Sequence, residues 1–573
     1  MADPYPHWPN LASMMFDRAR LWARRPMLRV WRDGAWQSIT WAVFARRAAA
    51  LARALREAGI SPGDRVLIVA ENRPEYPIAE TALMAIRAVP VPTYTTNTVE
   101  DHAHILADSG ARAAIVSSAR HGAAVMAAGR LAGGLDLLVT MEPLGAADPA
   151  TRTLFWDDLL TPDLPIRDIA AEAATIPPGA MACLIYTSGT GGAPKGVMTP
   201  HRAILSNCRG AATLIGALDL AHGVYLSFLP LSHSYEHTVG QFFLLSLGTE
   251  IVYARGVEHL AADLLQIRPT IVTAVPRVLE VIRNRVLLQV GRERRVRRAL
   301  FAATLRIGTK RIDGLRLSVG ERIAAPFLDR LVAAKVRARF GGRVVAAISG
   351  GARLDPEVGR FFLALGLPLL QGYGQTEAGP VISATPPGSR RIETVGPPFP
   401  GVDLRIAGDG EILVRGDLVM DGYWGSQAAT AQVIRDGWLH TGDIGHLDAD
   451  GFLVITDRKK DMIVLSGGEN VSPAKVEGML MAEPEIAQAV IAGDGRTALS
   501  ALVVAAEGYG EEAVALAVAR ANLRLSVTER IRRHALVAPF TQENGLLTPT
   551  QKIRRLLVVR AHAATLAALH GKG

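Results

Sequence analysis

Tyr186–Met198, YTSGTGGAPKGVM, constrains the chain more than any other stretch. The apolar run Met181 to Ile185 leads into it and reads as a buried strand. Thr187, Ser188 and Thr190 then supply hydroxyl donors, and the glycines around them let backbone N–H groups approach a ligand closely. Lys195 adds a mobile cation. Together these groups have the chemistry of a loop that folds over a polyphosphate. The spacing is not that of the Walker A loop, which needs Gly before its lysine and Ser or Thr after it. Here Pro194 and Gly196 flank Lys195, so a P-loop NTPase is disfavoured. A plain Gly/Ser/Thr turn without a ligand is the simpler alternative, but such turns are rarely so dense in hydroxyls beside a strand.

A chain of 573 residues is too long for one core and should divide into two or more domains. Hydrophobic content of 49% with 20% charged residues describes a globular protein, not a disordered or fibrous one. The formal charge of +9 suits anionic ligands, acidic lipid surfaces or nucleic acid, and alone does not choose among them. Cys183 and Cys208, the two cysteines, exclude a disulfide framework or a Cys-rich metal site. The start, MADPYPHWPN, has no basic and apolar leader pattern, and no apolar run reaches spanning length. The expectation is a cytoplasmic protein, compatible with peripheral contact at a membrane. Arginine supplies nearly all the basic residues. Five of the few lysines, Lys195, Lys459, Lys460, Lys475 and Lys552, fall in or near the motifs described below. A compact ammonium is not interchangeable with a planar guanidinium.

The first 180 residues alternate helix and strand. Trp41–Gly59 has helical apolar spacing and stops at a glycine. Arg65–Ala70 is a short continuous apolar strand, followed by a helix over 75–88, the run Val89–Tyr94, a helix near 101–108 and a strand over 111–118. This rhythm predicts doubly wound α/β layers. Residues 121–175, rich in Ala and Gly, are uninformative. Val224–His237 reads as a strand entering a polar turn that gathers His233, Glu236 and His237; a polar lid is preferred there to a zinc site. Gly291–Ile312 is strongly basic and could meet anionic lipid or nucleic acid. With almost no interleaved aromatic residues, a solvated helix face is the plainer expectation. Strands over 343–354 and 368–380 end in Gly-rich turns, as at ligand sites of open α/β sheets. From about Gly396 short Gly-punctuated runs predict a β-rich subdomain, interrupted at DRKKD, Asp457–Asp461, which reads as a linker. The remainder predicts a compact α+β domain.

Several motifs now agree. The 186–198 loop, GYGQTE at Gly372–Glu377, TGD at Thr441–Asp443, DRKKDMIVLSGGENVSP at Asp457–Pro473 and LTPTQKIRR at Leu547–Arg555 resemble, in order, signatures of the adenylate-forming superfamily. That superfamily includes acyl-CoA synthetases, luciferases and peptide-synthetase adenylation domains. The wording of VPRVLEVIRNRV and LTPTQKIRR is similar to the long-chain fatty-acyl-CoA synthetase branch. The resemblance implies an α/β fold of three parts. An N-terminal AMP-binding domain over 1–456 has doubly wound layers and a β-barrel-like subdomain over about 396–456. A hinge at 457–460 joins it to a mobile α+β C-terminal domain over 461–573.

The resemblance also implies an AMP-forming acid–thiol ligase, with ATP, Mg2+ and coenzyme A. The fatty acid would be activated to an acyl-adenylate, releasing pyrophosphate, and then passed to CoA. Two anions must meet, so the site needs concentrated positive charge and a metal. Thr187, Ser188, Gly189, Thr190 and Lys195 would hold phosphates, and Glu377, assisted by Thr190, would hold Mg2+. Gly350, Gly351 and Ala352, with Gly372 and Tyr373, would form the adenine slot, and Gln371, Gly374, Gln375, Thr376 and Ile455 would also contact ATP or AMP. Asp443 would take the ribose hydroxyls through its two oxygens, supported by Arg458. Lys552 would neutralise charge developing at the α-phosphate. His233 would line the acyl pocket. For thioester formation the small domain would turn about Asp457, withdraw Lys552 and bring Ser466, Gly467, Gly468, Glu469 and Asn470 to the pantetheine channel. No nucleic-acid partner is implied, and a homodimer is compatible.

Three positions depart from the family pattern: Gly191 replaces a usual Thr, Arg353 a common Pro, and Gln551 a Gly, the last as in the long-chain branch. None removes a charged group assigned to catalysis. The alternatives are transfer to the pantetheine of a carrier protein and, less favoured, a non-catalytic nucleotide-binding relative.

Overall fold

The structure is a computed structural model that describes residues 5–145, 149–160, 165–187, 193–216, 218, 220, 222–467, 469–548 and 552–570. Its first sheet is wholly parallel, ordered Val89–Pro92, Arg65–Val69, Ala113–Val116, Leu137–Thr140, Arg152–Phe155. The four-residue apolar runs Ala113–Val116 and Leu137–Thr140 are buried along their whole length, as strands covered on both faces must be. A second sheet of eight strands runs Ser383–Ala384, Leu369–Tyr373, Ala346–Ser349, Ile271–Ala274, Val224–Ser227, Glu250–Tyr253, Pro26–Arg32, Ala35–Thr40. Its inner six strands are parallel and its two edge strands antiparallel. Every residue of the helix Glu75–Ala85 is buried, including Glu75 and Glu80. A helix apolar on all sides belongs inside the layers; its two carboxylates are tolerated because each is paired, Glu75 with Arg73 and Arg32, Glu80 with His237.

The doubly wound α/β expectation holds, with local differences. The stretch 121–175 contains the helix end at Leu131, two strands and the helix Arg167–Ala173; small Ala and Gly side chains blur the apolar period there. The strand at 224 stops at Ser227, and after a polar turn the chain becomes helical over Glu236–Leu247, its first part in π geometry. Fully buried Glu236 ties the start of that helix to the strands. Its carboxylate accepts the hydroxyls of Tyr225 at 2.6 Å, Ser227 at 2.6 Å and Thr273 at 3.2 Å, all from neighbouring strands. Burial pushes this carboxyl up to about 7 against the pull of those hydroxyls.

Further on, Asp403–Ile406, Glu411–Arg415, Trp438–Leu447, Ile434–Arg435 and Leu453–Arg458 form an antiparallel sheet around Ile412, Val414, Leu439 and Leu453. From Ile463 onward the chain builds another core. The helices Pro473–Met481 and Glu511–Leu523 cover one face of the sheet Ile486–Ala492, Leu499–Ala505, Ile531–Leu536, through Val476, Leu480, Val503, Val514 and Ala517. Phe540 and Val558 join Val490 and Leu502 in a second cluster. Among the described residues no helix is long and apolar enough to cross a membrane.

Candidate active site

The strands Ile271–Ala274, Ala346–Ser349 and Leu369–Tyr373 run parallel in near register, so their carboxyl ends open side by side. Open α/β sheets place ligands at that edge. The turn after Ser349 needs glycine for space: a Cβ on Gly350 would lie 2.9 Å from the ring of Tyr235. That ring is fixed by its hydroxyl, which donates to the carbonyl of Ile348 at 3.1 Å. The turn after Tyr373 is equally close, since a Cβ on Gly374 would come 2.0 Å from the carbonyl oxygen of Pro380. Gly351, Ala352 and Gln375 belong to these two turns, and Gly372 lies in the end of the strand Leu369–Tyr373, paired with Ala384. Thr376 meets Ser234, their hydroxyls 2.8 Å apart.

Tyr373, Asp443 and Arg458 are brought together. The Tyr373 hydroxyl donates to Asp443 Oδ2 at 2.7 Å, and Arg458 Nε lies 3.2 Å from Asp443 Oδ1. Pairing of Asp443 with Arg458 across antiparallel strands sets this contact. Burial pushes the Asp443 carboxyl up, opposed by the Arg458 guanidinium and the Tyr373 hydroxyl. Ile455 sits on the same strand as Arg458, opposite Gly445. Gln371 turns elsewhere: its amide donates to the carbonyls of Ile392 at 2.7 Å and Thr394 at 3.1 Å. Its side chain therefore braces the loop beneath the site.

The opening loop is closed at its base by the antiparallel pair Thr187 and Lys195. Ser188, Gly189, Thr190 and Gly191 lie outside the described residues. The far end is held by His104, whose Nε2–H donates to the carbonyl of Pro194 at 2.8 Å. Lys195 Nζ sits 5.1 Å from the ring centroid of Tyr423, and the Tyr423 hydroxyl donates to Glu377 Oε1 at 2.8 Å. One aromatic residue thus links the loop cation to Glu377. Tyr423, His104 and Ser234 are absent from the sequence expectations. The aromatic flanked by glycines in DGYWG is the only sequence signal for Tyr423, since its place comes from antiparallel pairing of Gly422–Tyr423 with Val197 and Met198. The carboxylate of Glu377 has the hard oxygen donors that Mg2+ prefers. Its Oε2 takes no hydrogen bond from the described residues, so Glu377 fits a metal-holding role.

Lys552 comes from the C-terminal part and yet shares this cleft. Burial lowers its ammonium to about 8, first by desolvation and then through the Arg458 guanidinium, against Asp443. The residue as a whole is nonetheless exposed, so the cleft is open to solvent. His233 is lowered to about 3, mainly by burial and secondly by the charge of Lys552; its Nδ1 accepts the N–H of Tyr235 at 3.1 Å. Lys552 is presented by a turn in which Thr548 N–H donates to the Lys552 carbonyl at 2.8 Å and Lys552 N–H donates to Thr548 Oγ1 at 3.0 Å. Gln551 lies outside the described residues.

His233, Glu236 and His237 do not converge. His237 Nε2 pairs with Glu80 at 2.7 Å in the core, and Glu236 is occupied by hydroxyls. Among the described residues no group of three or more His, Cys, Asp or Glu could hold a metal ion. Ser466 and the Leu465–Asn470 hairpin bond within the C-terminal part, Ser466 N–H to the carbonyl of Arg496 at 2.8 Å and Leu465 N–H to that of Glu469 at 2.9 Å. Gly467 is described in the same turn, while Gly468 lies outside the described residues. The stretch read as a linker is partly strand: Asp457 pairs with Ile444 and Arg458 with Asp443. Lys459 is tied down too, its N–H to the Gly442 carbonyl at 2.8 Å and its Nζ to Asp409 at 2.6 Å and Glu411 at 2.9 Å.

The family model of AMP-binding enzymes matches residues 15–424, and that of the AMP-binding enzyme C-terminal domain matches residues 460–572. The chain is 33% identical to the long-chain-fatty-acid–CoA ligase FadD15 of Mycobacterium tuberculosis, over 98% of this chain and 97% of that one. In fold it resembles a benzoate CoA ligase from Burkholderia xenovorans LB400, with TM-score 0.74 at 23% identity over 96% and 99% of the two chains. It also resembles the A-PCP didomain of a carboxylic acid reductase from Segniliparus rugosus in complex with AMP, with TM-score 0.76 at 21% identity over 98% and 82%. The two structures speak for the fold alone; the matched models and the full-length sequence relative place the chain in a family. The chain belongs to the AMP-binding enzymes, as a relative of their long-chain-fatty-acid–CoA ligases.

Proposed function

We propose that this chain activates a fatty acid with ATP, releases pyrophosphate, and transfers the acyl group from the adenylate to coenzyme A, leaving AMP. The observation that carries the reading is the meeting of Lys552 with Arg458, Asp443 and His233 at the carboxyl edge of the main sheet. The 187–195 loop grips the phosphates that leave. Gly350–Ala352 and Gly372–Thr376 border the base, with the Tyr373 ring beside it and Asp443 on the ribose. Lys552 faces the α-phosphate as the carboxylate attacks. Bound Mg2+, held by Glu377, would neutralise phosphate charge. Tyr423 fixes the Glu377 carboxylate and lies under Lys195, keeping two oppositely charged groups apart but aligned. For the second step the C-terminal domain turns about Asp457, Lys552 leaves, and Ser466–Asn470 replace it. Two buried free thiols, Cys183 and Cys208, suit the reducing cytoplasm.

A panel of carboxylic acids, short to long chain and aromatic, scored by CoA-dependent AMP formation, tests the substrate class. Aliphatic fatty acids should lead; preference for an aromatic acid would overturn it. The pH dependence follows from Lys552. An ammonium lowered to about 8 is charged below that pH and loses its proton as pH rises through it. Pyrophosphate release should therefore fall above pH about 8, whereas an ordinary lysine stays charged to about 10.4. A rate that stays flat to pH about 10 would contradict the assignment.

A further inference from the structure

We propose that the helical hairpin over 295–338 docks this protein on an anionic lipid bilayer. Its second helix begins at Val319 and continues, through a π turn at Asp329–Ala333, to Ala338. Ala325, Leu328, Ala333 and Val336 face inward. The opposite face carries Val319, Ile323, Phe327 and Leu331, spaced by four, with relative exposures of 73%, 63%, 65% and 52%. Leu315, in the preceding turn, is 58% exposed. Scattered exposed apolar residues are ordinary, but four at helical spacing on one face, with Leu315 beside them, are a surface built to be covered.

Charge decides what covers it. Arg316, Arg322, Arg330, Lys335 and Arg339 are exposed around the stripe. The acids nearby are consumed. Glu321 binds Lys310 at 2.7 Å and caps its own helix through Ser318, Asp329 takes Arg337 at 2.8 Å, and Asp313 takes Arg360 at 2.6 Å. The first helix, Arg295–Ile312, packs on the second through Ile307, Ala325 and Leu328 and contacts its π turn. Arg292, Arg294, Arg295 and Arg298 are exposed and extend the basic surface, while Glu293 is taken by Arg297 at 2.8 Å. A second copy placed on this face about a two-fold axis would oppose arginine to arginine. Nucleic acid would leave the apolar stripe in water. An acidic bilayer satisfies both features, with the apolar residues at the acyl boundary and guanidiniums among the headgroup phosphates.

The basic run alone, read from the sequence, favoured a solvated face; the apolar stripe that changes this lies one helix later and is legible only from its exposure. The inference stands on this surface and does not depend on the reaction proposed above.

Co-sedimentation of the full chain with vesicles of equal parts phosphatidylcholine and phosphatidylglycerol tests it, with phosphatidylcholine vesicles as control. The wild type should bind the acidic vesicles and be released by salt. Ile323→Glu/Phe327→Glu should lower binding about tenfold or more, and Arg322→Glu/Arg330→Glu should remove the preference for acidic lipid. Since all four side chains point to solvent, circular dichroism and pyrophosphate release with a short, soluble fatty acid should be unchanged. Vesicle binding by Ile323→Glu/Phe327→Glu equal to wild type overturns the proposal. So does a wild type that ignores acidic vesicles, or one whose dimer this variant dissociates without any change at vesicles.

Discussion

Replacing Lys552 with Ala should lower adenylation by about two to three orders of magnitude, the usual consequence of removing one preorganised donor from a developing charge. Thioester formation from supplied acyl-adenylate should survive within a few-fold. The asymmetry follows from position. Lys552 sits in the cleft with Arg458, Asp443 and His233, close enough for their charges to act on it, while its backbone is tied to Thr548 in the small domain. A group that arrives with one domain orientation serves only the step run in that orientation. Pyrophosphate release reports the first half-reaction, and acyl-CoA formed from synthetic adenylate reports the second. Equal losses in both would show that Lys552 acts by holding the domain together.

Arg555→Met should destabilise the C-terminal domain by about 3–5 kcal/mol, the cost of leaving one partner of a buried ion pair alone. Arg555 donates to both oxygens of Glu477, at 2.6 and 2.5 Å, and to the carbonyl of Ile491 at 2.9 Å. Glu477 in turn accepts the N–H of Ile491 at 2.8 Å. These bonds fasten the segment that follows Lys552 to the helix Pro473–Met481 and the strand Ile486–Ala492. Burial already pushes the Glu477 carboxyl up while Arg555 opposes the rise; without the guanidinium the carboxylate is stranded. Hydrogen exchange of amides over 486–505 is the suitable readout, because a chain with several cores has no single unfolding free energy. Adding Glu477→Gln to Arg555→Met should recover part of the lost protection, since it removes the orphan charge. Unchanged protection in Arg555→Met would mean the pair contributes nothing there.

Most of the fold was legible because its strands are short, continuous and apolar, separated by helices that end at glycines or prolines. Arg65–Val69 is read to within one residue, and Ala113–Val116 falls inside the stretch 111–118 read as a strand. The hairpin Pro26–Thr40 was missed, since Arg, Trp and Gln at half-buried edge positions give no clean alternation. Glu236–Leu247 was misread because its polar start is satisfied by three hydroxyls from two strands that only the tertiary fold assembles. In the candidate site, charged residues within long motifs could be named from the sequence: Lys195, Glu377, Asp443, Arg458 and Lys552. Tyr423 and His104 could not, because their roles arise from strand pairing and helix packing across long separations. Gln371 stands in the right motif, yet its side chain faces the other way, and only the structure reveals the carbonyls that hold it.

The most direct measurement is a product analysis of the full chain with ATP, Mg2+, a long-chain fatty acid and CoA. Acyl-CoA, AMP and pyrophosphate should appear in equal amounts, and omitting CoA should stop turnover after adenylate formation. Pyrophosphate and acyl-adenylate without a CoA thioester would contradict the account and point to a carrier-borne pantetheine as acceptor. Absence of pyrophosphate altogether would make the chain a nucleotide-binding relative that does not turn over.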